Sequence, residues 1–148
     1  MDVQKAELLR GLSRDCITEI LDIAILESYG EGDCLFFRGD PAGFFYFLLM
    51  GRVKLNLGET GKIIHHVTRP GEIIGWSGLV GREAYTASAE CTMPTELHKI
   101  EAGKLRKIME KNPVDGLVFF DNLSKILGDR LLQSYSRYEK VFVTSTLI

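Results

Sequence analysis

The sequence predicts a mainly β fold with flanking helices. Between residues 30 and 75, glycines recur at short intervals and separate short apolar segments, which is typical of strands joined by tight turns. Helical spacing of apolar residues occurs before and after this region instead. Short strands without intervening helices favour an antiparallel sandwich or barrel. The candidate strands are residues 34–37, 44–50, 53–57, 63–67, 72–74, 87–91 and 96–100.

Composition indicates one globular domain. The chain has 148 residues, of which 45% are hydrophobic and 26% charged, and its net charge of −2 gives no electrostatic basis for nucleic-acid binding. No apolar run approaches the roughly 20 residues of a bilayer helix, and the first residues lack the order of a signal peptide. Cys16, Cys34 and Cys91 are scattered and odd in number, which argues against a disulfide framework. We expect a cytoplasmic protein without membrane attachment.

The first 28 residues are predicted to be mainly helical. Ser13 is placed as a helix N-cap, with Leu12 and Ile17 on either side of the cap as a hydrophobic staple. The apolar residues that follow Ser13 keep helical spacing: Ile17, Ile20, Leu21 and Ala24.

Helical spacing returns after residue 100. A short amphipathic helix that ends near residue 112 is predicted from Leu105, Ile108 and Met109. Asn112 and Pro113 then suit the N-cap and first position of a second helix, which we expect to run to about residue 140. Gly116 and Gly128 should weaken this long helix by about 1 kcal/mol each.

The long helix carries more apolar residues than one face can hold. A face around Phe119, Leu123 and Ile126 is placed to pack on the barrel. A second set alternates three and four residues apart, the spacing of a coiled-coil seam: Leu117, Phe120, Ser124, Leu127, Leu131, Ser134 and Tyr138. A helix that buries two faces in a small domain indicates a partner chain, so we expect a homodimer. The alternative is a single core helix with exposed apolar residues.

Residues 70–87 resemble the phosphate-binding cassette of the cyclic-nucleotide-binding domain. In that family a strand leads into a Gly-rich turn and one helical turn, whose backbone N–H groups bind a cyclic phosphate. Here Gly75 and Gly78 leave the backbone able to approach an anion, and Ser77 adds a hydroxyl. The resemblance implies a ligand site at Gly75, Trp76, Ser77, Gly78, Leu79, Arg82, Tyr85, Thr86 and Ala87.

Further segments extend the resemblance to the effector domain of the catabolite-activator and fumarate–nitrate-regulator superfamily. Residues 29–42 are similar to its first hairpin, and residues 45–53 to its aromatic strand, Gly turn and return strand. Asn112-Pro113 falls where that family breaks before its dimerising helix. The resemblance covers roughly residues 8–140. It implies a double-stranded β-helix, a jelly-roll-like barrel, with a long C-terminal dimerisation helix.

The resemblance divides the single domain into four parts. These are an N-terminal helical segment (1–28), a β-barrel (29–101), the short and long helices (102–140) and a tail (141–148). Transcription factors of the superfamily continue into a helix-turn-helix domain, for which the tail is too short, so we expect no direct DNA binding. By the same resemblance, Gln133 or Ser134 of the long helix should face the pocket.

Two residues depart from the cassette pattern. In the family, a Glu after the cassette Gly binds the ribose hydroxyl, and an Arg about ten residues after the Gly neutralises the phosphate. Trp76 and Tyr85 stand at these positions here. Loss of both contacts should cost about 3–6 kcal/mol, or about two to four decades of affinity for a cyclic nucleotide.

The sequence therefore predicts a ligand-sensing or regulatory domain with altered or lost cyclic nucleotide affinity, which signals through a dimer helix. Its ligand would be a small anionic or apolar molecule, or a protein partner. One alternative is a genuine cyclic AMP or cyclic GMP binder in which Arg82 replaces the missing Arg. Another is an interaction scaffold whose pocket is filled by Trp76 and Tyr85.

Other chemistries have less support in the sequence. No acid–base or nucleophile–base set can be assembled, so we expect no enzyme activity. His65 and His66 should point to opposite faces of a strand, which is poor geometry for a shared metal ion. The cysteines are not grouped as an iron–sulfur cluster requires. Haem bound through one His or Cys stays open as an alternative cofactor.

Overall fold

The computed structural model describes residues 3–147, apart from the side chains of residues 4, 59 and 141–147. Its strands, in chain order, are β1 (Ile25–Tyr29), β2 (Cys34–Phe36), β3 (Phe44–Met50), β4 (Val53–Asn56), β5 (Ile63–Val67), β6 (Ile73–Ile74), β7 (Ser88–Cys91) and β8 (Thr95–Glu101). They form two four-stranded antiparallel sheets. The first sheet has the order β1-β8-β3-β6 and the second the order β2-β7-β4-β5. The mainly β, jelly-roll-like architecture with flanking helices is therefore confirmed.

Helices precede and follow the sheets. They are the 3₁₀ turns Val3–Lys5, Glu7–Leu9, Gly58–Thr60 and Trp76–Val80, and the helices α1 (Arg14–Ile23), α2 (Ala102–Lys111) and α3 (Pro113–Leu147). Helix α3 continues beyond residue 140, so residues 141–147 are helical and do not form the predicted tail. Ile148 lies outside the described residues. Within the described residues, no helix combines the length and apolar character that spanning a membrane requires.

The prediction of helix up to residue 28 was wrong for its last five residues. Helix α1 begins after Ser13, whose Oγ accepts a hydrogen bond from the Cys16 amide at 3.3 Å, as an N-cap should. The backbone becomes extended at Ala24, and β1 then pairs with β8 along its full length. Pairing with a distant strand outweighs the local helical spacing there. The other strands lie within one residue of their predicted bounds.

Buried residues form two clusters on opposite faces of the first sheet. The inner cluster lies between the sheets, and the outer cluster lies between the first sheet, the N-terminal segment and the three α-helices. Strand β3 contributes to both clusters, because Tyr46 and Leu48 join the inner one while Phe45 and Phe47 join the outer one. The continuous apolar run in β3 thus reflects a strand that is buried on both faces.

Helix α3 packs on the barrel through the predicted face. Phe119 and Leu123 are fully buried in the outer cluster, and Ile126 packs against it. The start of α3 at Pro113 agrees with the prediction. Asn112, however, uses its side chain to close α2, since its Nδ2 donates to the Ile108 carbonyl at 2.9 Å.

Two polar residues of α3 hold the N-terminal segment. Asn122 Nδ2 donates to the carbonyls of Leu8 at 3.0 Å and Arg10 at 2.8 Å. The amide and hydroxyl of Ser13 donate to the Asp115 carboxylate at 2.8 and 2.7 Å. The segment before α1 is therefore fastened to α3 by side chains of α3.

Candidate functional site

The predicted cassette lies between β6 and β7. Residues Trp76–Val80 form one 3₁₀ turn, bounded by Gly75 at φ +81° and Gly81 at φ +83°. These positive φ values favour glycine because a Cβ would be strained there. The segment is therefore a short strand followed by a glycine-bounded helical turn.

Two glycines of this segment make close contacts within the protein. A Cβ on Gly75 would lie 3.2 Å from the Phe36 ring, the Phe44 carbonyl oxygen and the Tyr85 ring. A Cβ on Gly78 would lie only 2.0 Å from the Ala42 carbonyl oxygen. Packing explains the glycine at position 78, and packing together with the positive φ explains the glycine at position 75.

Tyr85 is part of the inner cluster. Its side chain is 5% exposed, and its ring stacks on Phe36 with 3.7 Å between ring centroids. The hydroxyl donates to the Phe44 carbonyl at 2.5 Å and accepts from the Phe44 amide at 3.2 Å. Burial raises the pKa of the Tyr85 phenol, which therefore stays neutral at physiological pH.

The remaining cassette residues are dispersed. Ser77, Leu79 and Ala87 are buried, whereas Arg82 and Thr86 are exposed. The Arg82 amide donates to the Ser77 carbonyl at 3.1 Å. The structure does not bring the side chains of Arg82 and Thr86 to the cavity that Trp76 lines.

That cavity, the Trp76 cavity, lies between the cassette turn, the second sheet and α3. It has a volume of about 320 Å³ and is half open. Its apolar lining consists of Leu55, Ile64, Trp76, Leu127 and Leu131. Its polar lining consists of His65, Arg130, Ser134 and Arg137. An apolar wall that faces two guanidinium groups can hold a ligand with an apolar body and a negative charge.

The two arginines reach from α3 to the strands. Arg130 Nη2 donates to the Ile73 carbonyl at 2.6 Å, and Arg137 Nη1 donates to the Ile64 carbonyl. Arg130 Nη1 is buried and has no hydrogen-bond partner among the described residues. Burial lowers the pKa of Arg130 from its ordinary value, although the charge of Glu72 acts in the opposite direction. The guanidinium still carries its charge at neutral pH.

A carboxylate behind the cavity balances part of this charge. Glu72 accepts from Arg69 Nε at 2.7 Å, and its other oxygen lies 3.5 Å from His65 Nε2. Burial acts to raise the pKa of Glu72, but the contact with His65, the hydrogen bond from Arg69 and the charges of Arg69 and Arg130 lower it overall. Glu72 is therefore ionised at neutral pH.

The residues of the coiled-coil seam predicted on α3 lie in three different surroundings. Leu127, Leu131 and Ser134 line the Trp76 cavity, whereas Leu117 and Tyr138 are 75% and 70% exposed. Ser124 is also exposed, and Phe120 packs against the outer cluster. Of the two helix residues expected at the pocket, Ser134 lines the cavity and Gln133 lines a neighbouring polar groove.

Sequence reasoning missed the cations of the cavity. Arg130 and Arg137 are seven residues apart and so lie on one face of α3, together with Leu127, Leu131 and Ser134. A basic residue repeated at this interval beside an apolar stripe was the available signal. It could not show that the stripe faces β5.

Comparisons with known proteins match most of this chain to one kind of domain. Residues 26–112, more than half of the chain, match the family model described as the cyclic nucleotide-binding domain. A protein assigned as cyclic nucleotide-binding from Geobacter metallireducens GS-15 has a solved structure with a TM-score of 0.78 and 27% identity, over 87% of this chain and 95% of that one. The sensor domain of the transcriptional regulator DNR from Pseudomonas aeruginosa gives a TM-score of 0.72 and 25% identity, over 87% and 88%.

Curated relatives are longer than this chain. Glutaminase 1 of Bradyrhizobium diazoefficiens is 24% identical over 145 residues, which is 98% of this chain but 23% of that protein. The chain spans about a quarter of the length of the curated relatives it matches. The similarity thus concerns one segment of each relative.

Proposed function

The chain belongs to the cyclic nucleotide-binding domain family, and we propose that it is a cytoplasmic, homodimeric regulatory domain that senses a ligand other than a cyclic nucleotide. The observation that carries this proposal is Tyr85. Where the resembling cassettes have an Arg that neutralises the phosphate, this chain has a neutral, buried phenol that is bonded to Phe44.

The energetics support reduced affinity for cyclic nucleotides. A phosphate beside Tyr85 has no charge-assisted contact from that position, and Trp76 offers an indole in place of a ribose-binding carboxylate. These two losses correspond to about 3–6 kcal/mol, or about two to four decades of affinity.

The alternatives have less support. A genuine cyclic nucleotide site would need Arg82, whose side chain is exposed and away from the cavity that Trp76 lines. A permanently filled pocket would need the side chains of both Trp76 and Tyr85 to lie inside it. Tyr85 does fill the inner cluster, but Trp76 borders a cavity of about 320 Å³ that stays open. An open cavity favours ligand sensing over a scaffold.

Helix α3 is proposed as the output element. A ligand in the Trp76 cavity would contact the cassette turn and α3 at once, so a preference for one helix position would shift the population toward it. Leu117, Leu132, Tyr135 and Tyr138 of α3 are all more than half exposed. Exposed apolar residues on one long helix support a homodimer in which this surface is covered.

Calorimetric titration with cyclic AMP and cyclic GMP tests the proposal. We expect no micromolar binding to the unmodified chain, and tighter binding by the double variant Trp76→Glu, Tyr85→Arg. The control double variant Trp76→Gln, Tyr85→Phe restores neither charge and should not bind. Thermal unfolding of each variant checks that it is folded. Micromolar binding by the unmodified chain that disappears in Arg82→Ala would establish the alternative instead.

A further inference from the structure

The Trp76 cavity adjoins a second cavity along α3. The second cavity has a volume of about 500 Å³, and the two share Ile64, Ser134 and Arg137 as lining residues. Together they form an elongated depression between β5 and α3, which we call the α3 groove. It extends from Trp76 at one end to Tyr138 at the other.

The α3 groove has one sign of charge. Arg130 lines its Trp76 end, Arg137 lines its middle, and Lys62 lines its outer end. Among the described residues that line either cavity, none is acidic. Glu72, behind the lining, balances part of this positive charge. A concave surface lined by cations still attracts an anion, and its low-dielectric apolar wall strengthens that attraction.

The innermost cation has unused hydrogen-bonding capacity. A guanidinium carries five N–H donors, and the Arg130 side chain makes one hydrogen bond, to Ile73, among the described residues. Its Nη1 is buried without a partner there. A buried donor without an acceptor is costly, and a carboxylate oxygen at Nη1 would remove that cost.

The rest of the α3 groove is apolar. Ile64 and Leu131 form its walls, with Trp76 and Tyr138 at its ends. These apolar side chains suit a hydrocarbon chain. Arg130 and Arg137 are about 10 Å apart along the helix axis at 1.5 Å per residue. An alkyl chain of about ten carbons extends over a similar length.

We propose that the α3 groove binds an amphiphilic carboxylate, with the carboxylate on Arg130 and the apolar chain running along Ile64 and Leu131 toward Tyr138. The negative charge is then neutralised from the helix, at a different place from the cassette position that Tyr85 occupies. This inference rests on the proposed function, because it names the ligand class of the same sensing site.

The single tryptophan of the chain provides the assay, because Trp76 lines the α3 groove. Trp76 fluorescence is followed during titration with decanoate, 1-decanol and cyclic AMP in separate experiments. We expect a saturable response to decanoate, and a dissociation constant for 1-decanol that is about tenfold or more higher, since 1-decanol lacks the charge-assisted bond.

Variants of Arg130 test whether its guanidinium binds the carboxylate of decanoate. Arg130→Gln should weaken decanoate binding about tenfold or more and leave 1-decanol binding unchanged, whereas Arg130→Lys should retain most of the decanoate affinity. Arg82→Gln is the matched control, since it removes an exposed arginine outside the α3 groove. Ser134→Trp adds bulk at an exposed position that lines both cavities and should abolish the decanoate response without changing Arg130.

The outcomes separate this inference from the proposed function. No saturable response to decanoate, equal affinity for 1-decanol, or full affinity in a folded Arg130→Gln variant would overturn the inference. The regulatory assignment would survive each of these results as long as cyclic AMP gives no response. A micromolar response to cyclic AMP would overturn the proposed function itself.

Discussion

Tyr85 shows how packing and hydrogen bonds within the protein hold one residue of the cassette segment. The ring occupies the inner cluster against Phe36, and Gly75 leaves room for both rings. An Arg at this position would be surrounded by the same apolar side chains, and its charge would need an anion beside it. The phenol satisfies its hydroxyl within the protein by bonding to Phe44.

Tyr85→Phe should lower the free energy of unfolding by about 1–2 kcal/mol, because the Phe44 amide and carbonyl lose their bonds to the buried hydroxyl. Urea denaturation measures the change. Thr86→Val is the control, since Thr86 is exposed and loss of its hydroxyl should change stability little. Equal stability of Tyr85→Phe and the unmodified chain would mean that the hydroxyl contributes nothing.

At the scale of single residues, the sequence indicated that Trp76 and Tyr85 differ from the Glu and Arg of the resembling cassette. It did not indicate the role of Arg130. The cassette positions follow from local spacing, and local spacing is visible in a sequence. Arg130 is half-buried because α3 packs beside β5 and β6, and that placement depends on contacts between distant parts of the chain.

Helix α3 contains two glycines in different surroundings, although the sequence made them look equivalent. A Cβ on Gly116 would lie 3.0 Å from the Met109 carbonyl oxygen, so this glycine permits the close approach of α2 and α3. A Cβ on Gly128 would meet nothing within 4 Å. Sequence reasoning assigned both the same cost because propensity is local and helix packing is not.

Gly128→Ala should therefore raise the free energy of unfolding by about 0.5–1 kcal/mol through helix propensity. Gly116→Ala should lower it, since Met109 would have to shift. Both are measured by urea denaturation in the Leu132→Asp background, in which a partner helix should not contribute. Stabilisation by both substitutions would contradict the proposed role of Gly116.

Strand β1 is the strand that the sequence analysis did not predict. Each predicted strand is bounded by turn residues, and the structure reproduces those bounds within one residue. Strand β1 instead follows α1 directly at Ala24, with no glycine or proline between them. Without such a turn signal, the change from helix to strand was not visible in the sequence.

At the scale of the whole molecule, the exposed apolar residues of α3 determine the expected assembly. Leu132 is 63% exposed and lines neither cavity of the α3 groove. Its substitution can therefore separate assembly from ligand binding, which Leu127 cannot do because it lines the Trp76 cavity.

Leu132→Asp should convert a dimer into a monomer, because a charge in an apolar interface is not solvated there. Sedimentation equilibrium measures the mass, and thermal unfolding should show a domain that is still folded. Lys107→Asp on the exposed face of α2 is the control and should stay dimeric. A monomeric unmodified chain would contradict the homodimer proposal.

The hydrogen bonds of Asn122 and Asp115 give the proposed output through α3 a second route. Four bonds join these side chains to Leu8, Arg10 and Ser13. Any rigid displacement of α3 must either carry the N-terminal segment with it or break those bonds. A spin label placed before α1 should therefore report the motion of a helix more than 100 residues away in the sequence. We therefore expect the segment before α1 to move with α3 when α3 moves relative to the barrel.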